Sequence, residues 1–108
     1  MSFSIDVTDN FKKEAKRLSK KYPSLKKEIK ELGEALASNP TMGSHLGNNV
    51  YKIRLAIASK GKGKSGGARI MTYLKIVQQT VCLFSIYDKS EKDSISDDEI
   101  KDLIRDII

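Results

Sequence analysis

The chain has 108 residues, 39% apolar and 31% charged, with one cysteine, no tryptophan and a formal net charge of +6. That composition fits one small soluble globular domain over residues 1–108, not a disordered chain or a disulfide-stapled scaffold. Residues 1–87 hold 16 Lys or Arg against 6 Asp or Glu, and residues 88–108 hold 4 against 8, so a basic body suited to a polyanion carries an acidic tail.

Cys82 has no partner for an intramolecular disulfide, and no basic-then-apolar leader precedes Ser4. The expected location is therefore cytoplasmic. No apolar run approaches the roughly 18 residues of a membrane span, and the most basic region reads as strands, not as an amphipathic helix, which argues against anionic lipid as the partner.

In chain order, Phe3, Ile5 and Val7 alternate with Ser4 and Asp6 as a short strand with one buried face. Thr8, Asp9 and Asn10 start a helix to about Lys21, with Phe11, Ala15 and Leu18 inward and Lys12, Lys13, Lys16, Lys20 and Lys21 on its wet side. Tyr22-Pro23 breaks it, and Pro23 opens a second helix whose stripe is Leu25, Ile29, Leu32 and Leu36. Asn39-Pro40 stops that helix, and TMGSHLGNN reads as a loop.

Three strands follow. The first sets Tyr51, Ile53, Leu55 and Ile57 against Lys52 and Arg54. After the loop GKGKSGG, the second runs from Ala68 to about Val77, with Ile70, Leu74 and Ile76 opposite Arg69, Met71, Tyr73 and Lys75. Gln78-Gln79-Thr80 turns the chain, and the third sets Cys82, Phe84 and Ile86 against Val81, Leu83, Ser85 and Tyr87. The final helix has a capping box in Ser96 and Glu99, a hydrophobic staple in Ile95 and Ile100, acids at its first turn, and a stripe of Ile100, Leu103, Ile104 and Ile107. The expected fold is α+β in the order β-α-α-β-β-β-α: an antiparallel sheet of about four strands packed on the two N-terminal helices, with a C-terminal helix.

Between Glu34 and Asp88 there is no Asp or Glu, but seven Lys or Arg: Lys52, Arg54, Lys60, Lys62, Lys64, Arg69 and Lys75. If the apolar set faces the N-terminal helices, then Lys52, Arg54, Arg69, Tyr73, Tyr87 and Lys89 converge on the opposite face of the sheet. Met71, Val81 and Leu83 share that face, so the last helix, a partner or stacked bases must cover part of it.

A carboxylate-free cluster of Arg, Lys and Tyr can bind RNA through phosphates and stacked bases. It can also cleave RNA without metal, when the ribose 2′-OH attacks the adjacent phosphorus with a base near the 2′-OH, cations on the phosphorane and a proton donor at the leaving 5′-oxygen. Crowded cations lower the pKa of Lys or Tyr enough for either to replace histidine, whereas Arg54 and Arg69 keep their protons and stabilise charge. GKGKS lacks the glycine that a phosphate loop needs at Ala58 and is followed by a strand where a helix is required; its lysines Lys60, Lys62 and Lys64, with Lys52 and Lys75, are candidates to grip RNA backbone. His45 reads as a loop residue and Cys82 as core. There is no ligand spacing for zinc and no acid for magnesium inside the basic block, so no cofactor is expected.

The runs KIRLAIASKGKGKSGGARIMTYL and LFSIYDKSEKDSISDDEIKDLI resemble the RelE/HigB group of bacterial toxins, within the RelE/ParE superfamily, over essentially the whole chain. The resemblance implies a RelE-like toxin of a type II toxin–antitoxin system: a metal-independent endoribonuclease that enters the ribosomal A site, cuts the mRNA codon there and arrests translation. It also implies a cognate antitoxin and a higher-order complex with it on operator DNA. By position, Lys52 and Arg54 match the family's basic strand pair, Arg69 the arginine after the glycines, and Lys89 a basic residue after the last strand. Some members carry a catalytic tyrosine near the C-terminus, where this chain has Ile95 and Ile100; Tyr73, Tyr87 or a loop lysine is expected to take its place as the general base. The alternatives are a ParE-like gyrase inhibitor on the same scaffold and a non-catalytic RNA-binding protein.

Overall fold

A computed structural model describes residues 2–61 and 63–107. The lysine at 62, expected to grip RNA, lies outside the described residues.

The chain opens with strand β1 (Ser4–Val7), followed by helices α1 (Asp9–Lys21) and α2 (Leu25–Ser38). The Thr8 hydroxyl accepts from the Phe11 amide and caps α1, while Lys20 and Lys21 suit its negative end. Strands β2 (Ser44–Gly47) and β3 (Val50–Leu55) come next, then a 3-10 turn (Ala58–Lys60), β4 (Ala68–Lys75), β5 (Thr80–Asp88) and α3 (Asp97–Ile104). Ser96 and Glu99 form the expected reciprocal capping box of α3.

The sheet has five strands in the order β1-β5-β4-β3-β2. The fold is α+β in the expected element order, with two refinements. The stretch read as a loop contains β2, turned into β3 by Asn48 and Asn49, both at positive φ (51° and 64°). That is the backbone of a two-residue hairpin turn, and asparagine tolerates it well. Secondly, β1 pairs with β5 in parallel, while β2 to β5 are antiparallel to their neighbours.

Two apolar clusters sandwich the sheet. One joins α1 and α2 to Ile53, Ile70, Leu74, Val81, Leu83 and Ile86; the other joins α3 to Val50, Met71, Phe84 and Tyr87. Strict alternation along β5 fails, because Met71 pairs with Ser85 but Thr72 pairs with Leu83, leaving Phe84 as an extra, bulged residue. Val81 and Leu83 therefore face the N-terminal helices, and Phe84 faces α3, the reverse of the expected phase. The bulge's freed carbonyl is taken by the start of α1: Phe84 O accepts from Asn10 Nδ2 at 3.0 Å and Thr8 Oγ1 at 3.4 Å. Ile76, expected in the core, lies past the end of β4 in an exposed hairpin tip with Val77. Met71 is covered by α3 as expected, and Cys82 is a buried free thiol.

Candidate functional site

The register brings three of the expected residues into one lateral row. Arg54 of β3 pairs with Arg69 of β4, and Arg69 pairs with Tyr87 of β5. Neighbours in such a row have Cα atoms about 5 Å apart, and their side chains share one face of the sheet. Lys52 is two residues along β3 on the same face. Lys89 follows Tyr87 by two, and its amide donates to Gly67 O at 3.0 Å.

The three members of the row differ in environment. Arg54 is exposed and, among the described residues, its side chain makes no hydrogen bond or ion pair. Arg69 is only 5% exposed. Its guanidinium donates to Lys64 O at 3.0 Å, Ser65 O at 3.2 Å and Ala68 O at 3.2 Å, so its charge is held by dipoles and not cancelled by an acid. The glycine loop therefore points carbonyls at a cation, the opposite polarity from a phosphate cradle. Tyr87 is also 5% exposed, and its hydroxyl has no hydrogen-bond partner among the described residues.

Burial pushes the Tyr87 hydroxyl above its ordinary value, Arg69 pulls it back in part, and Asp93 and Glu99 add to the rise. The expectation that neighbouring cations lower a tyrosine here is thus corrected: desolvation outweighs Arg69. Tyr87 is a protonated donor at neutral pH.

The face is also not free of carboxylates, because the acidic tail supplies them. Lys89 Nζ pairs with Asp93 and donates to Asp93 O at 2.8 Å. The hydrogen bond from Lys89 Nζ to the Asp93 carboxylate, helped by the fields of Lys89, Arg69 and Lys52, holds that carboxyl below its ordinary value. Lys92 pairs with Glu99 and sits 5.9 Å from the Tyr87 ring centroid. Both lysines are committed to acids at the rim, while Arg54 and Arg69 stay free of acids.

Other expected residues do not join the row. Tyr73 and Lys75 lie four and six positions along β4 from Arg69, roughly 13 and 20 Å away on the same face, with Met71 and α3 between. Lys60 is not a free loop cation: its side chain is 7% exposed and paired with the buried Asp88. Lys64 is exposed in the loop. His45 stacks on Tyr51, ring centroids 4.8 Å apart, and Tyr51 packs against the helix-side core. Sequence reasoning missed Asp88 and Tyr22, whose hydroxyl donates to Asp88 Oδ2 at 2.6 Å; a lone acid ending an otherwise apolar strand was the available signal.

A family model described as the RelE toxin of the RelE/RelB toxin–antitoxin system matches residues 4–106. The chain belongs to the RelE toxin family. It is thus a toxin component whose partner is an antitoxin. Its fold resembles that of an E. coli RelE mutant, with arginines replaced by alanine, in the free state: TM-score 0.67 at 15% identity over 100% of both chains. It also resembles isolated E. coli RelE, with a TM-score of 0.59 at 17% identity over 99% of this chain and 100% of that one. In this RelE-family chain, Ile95 and Ile100 pack in the cluster under α3, which leaves Tyr87 as the tyrosine of the basic row. No helix among the described residues is long and apolar enough to cross a membrane.

Proposed function

We propose that this RelE-family toxin is an endoribonuclease that cuts mRNA in the A site of the ribosome by attack of a ribose 2′-OH on the adjacent phosphorus. The observation that carries the reading is the row of Arg54, Arg69 and Tyr87 across three neighbouring strands. Two paired arginines on one face of the sheet, without a carboxylate partner among the described residues, match the phosphorane, whose equatorial oxygens gain charge as the 2′-oxygen bonds to phosphorus. As the 2′-oxygen bonds to phosphorus its proton passes to solvent and the P–O5′ bond breaks, and a buried, protonated Tyr87 suits the proton donor to the departing 5′-oxygen, leaving a 2′,3′-cyclic phosphate. Lys52 and Lys64 extend the positive surface along the RNA backbone, and no step calls for a bound metal. The cognate antitoxin opposes this activity and, with the toxin, forms the larger complex on operator DNA.

Expression in a bacterium should arrest growth with transcripts cut at translated codons, and purified protein should cut mRNA on programmed ribosomes. Arg69→Ala should lower single-turnover cleavage by about 10²-fold or more, since a charge stabiliser is lost from the transition state. Growth arrest with DNA damage and intact transcripts would mark a gyrase-directed toxin instead. Salt-sensitive RNA binding without cleavage would mark a passive binder.

A further inference from the structure

Among the described residues Asp88 is the only acidic side chain in the interior, with 0% exposure. It lies between Tyr87 and Lys89, yet its carboxylate leaves the sheet on the side of α1 and α2. Oδ1 pairs with Lys60 Nζ and accepts from the Ser90 amide at 3.0 Å and hydroxyl at 2.8 Å, while Oδ2 accepts from Tyr22. Lys60 Nζ also donates to Ser90 Oγ at 2.8 Å and lies 5.5 Å from the Tyr22 ring centroid. Buried ion pairs stabilise a fold weakly, because desolvation offsets their attraction. What this pair does is join two segments of backbone.

Lys60 ends the 3-10 turn and directly precedes the glycine loop, residues 61–67. The other root of that loop is tied to the same step of β5: Ala68 pairs with Asp88, and Gly67 O accepts from the Lys89 amide. Between the two roots, the carbonyls of Lys64 and Ser65 hold the Arg69 guanidinium. With glycine at 61, 63, 66 and 67, the loop has little preference of its own for that shape. Closure of its roots is what confines it.

We infer that Lys60 and Asp88 are positioning residues: their ion pair closes the glycine loop into the shape whose carbonyls orient Arg69 beside Arg54 and Tyr87. The effect on cleavage rests on the function proposed above; the effect on Arg69 and the loop does not.

Lys60→Met keeps an apolar stem and removes the charge, and Asp88→Asn keeps size. In both, the Arg69 guanidinium NMR signals should lose their protection, and amide exchange at residues 61 and 63–67 should rise roughly tenfold or more while the rest of the sheet stays protected. Single-turnover cleavage at saturating ribosomes should fall roughly tenfold or more, with half-saturation unchanged, and Lys60→Arg should recover much of the rate. Arg69 signals and loop exchange like those of the unaltered protein, in either folded variant, would overturn the clamp. So would loss of protection across the whole sheet in both variants, since the pair would then hold the fold and not the loop. If the unaltered protein cuts no RNA, the proposed activity fails, and the exchange comparison still decides the clamp.

Discussion

The Tyr87 hydroxyl is buried and, among the described residues, has no hydrogen-bond partner, a condition that costs about 1–3 kcal/mol in an ordinary core. A group kept at that cost is a candidate for chemistry, and the two roles separate in one substitution. Tyr87→Phe should leave the urea midpoint unchanged or raised, while single-turnover cleavage drops by about 10²-fold or more. Because burial raises the Tyr87 pKa, the donor stays protonated well past neutrality, so its own ionisation should not reduce cleavage below about pH 10. At this scale the row itself was legible: alternation along β3 and β4 puts Arg54 and Arg69 on one face whatever the loops do. The fate of Lys60 was not, since a lysine beside glycines reads as solvated and its partner lies 28 residues away.

At the level of elements, local patterning located every helix, with α1 and α3 capped by the residues expected to start them. It failed where one strand's geometry depends on another. The bulge at Phe84 inverts half of β5, and nothing in VCLFSIY marks it; the stabilising groups are Thr8 and Asn10, far away in sequence. Strand β2 was missed because its four residues are mostly exposed and carry no alternation, although Asn48-Asn49 is a fair hairpin signal in retrospect. The junction of the glycine loop with β4 yields a further prediction. A Cβ on Gly67 would run into the Leu55 carbonyl oxygen and crowd Ala56, and backbone on both sides leaves no flexible side chain to yield. Gly67→Ala should cost about 1–3 kcal/mol in urea unfolding and disturb the loop that holds Arg69, whereas Gly61→Ala meets open space but a positive φ of 73°.

Across the whole molecule, the acidic tail is not simply a solubilising extension. Asp88, Glu91, Asp93 and Glu99 all pair with lysine or arginine, and all have pKa values below their ordinary ones. For Asp88, burial alone would raise the carboxyl, but hydrogen bonds from Lys60, Tyr22 and Ser90 outweigh it and hold it far below the usual carboxylate range. A carboxyl depressed in the folded state contributes stability that is fully present above its unfolded value, near 3.9, and drains away as pH falls through the folded value. Thermal midpoints should thus hold from neutrality to about pH 5 and fall below it, and Asp88→Asn should flatten that fall while lowering the plateau.

Strand β1 adds one more consequence. Among the described residues its only sheet neighbour is β5, which emerges from the ribosome more than seventy residues later and also carries Tyr87. A nascent chain that has made everything up to the glycine loop holds an unpaired first strand and an incomplete row of side chains. This topology delays assembly of the row, and closure of the first strand into the sheet, until β5 itself has been made.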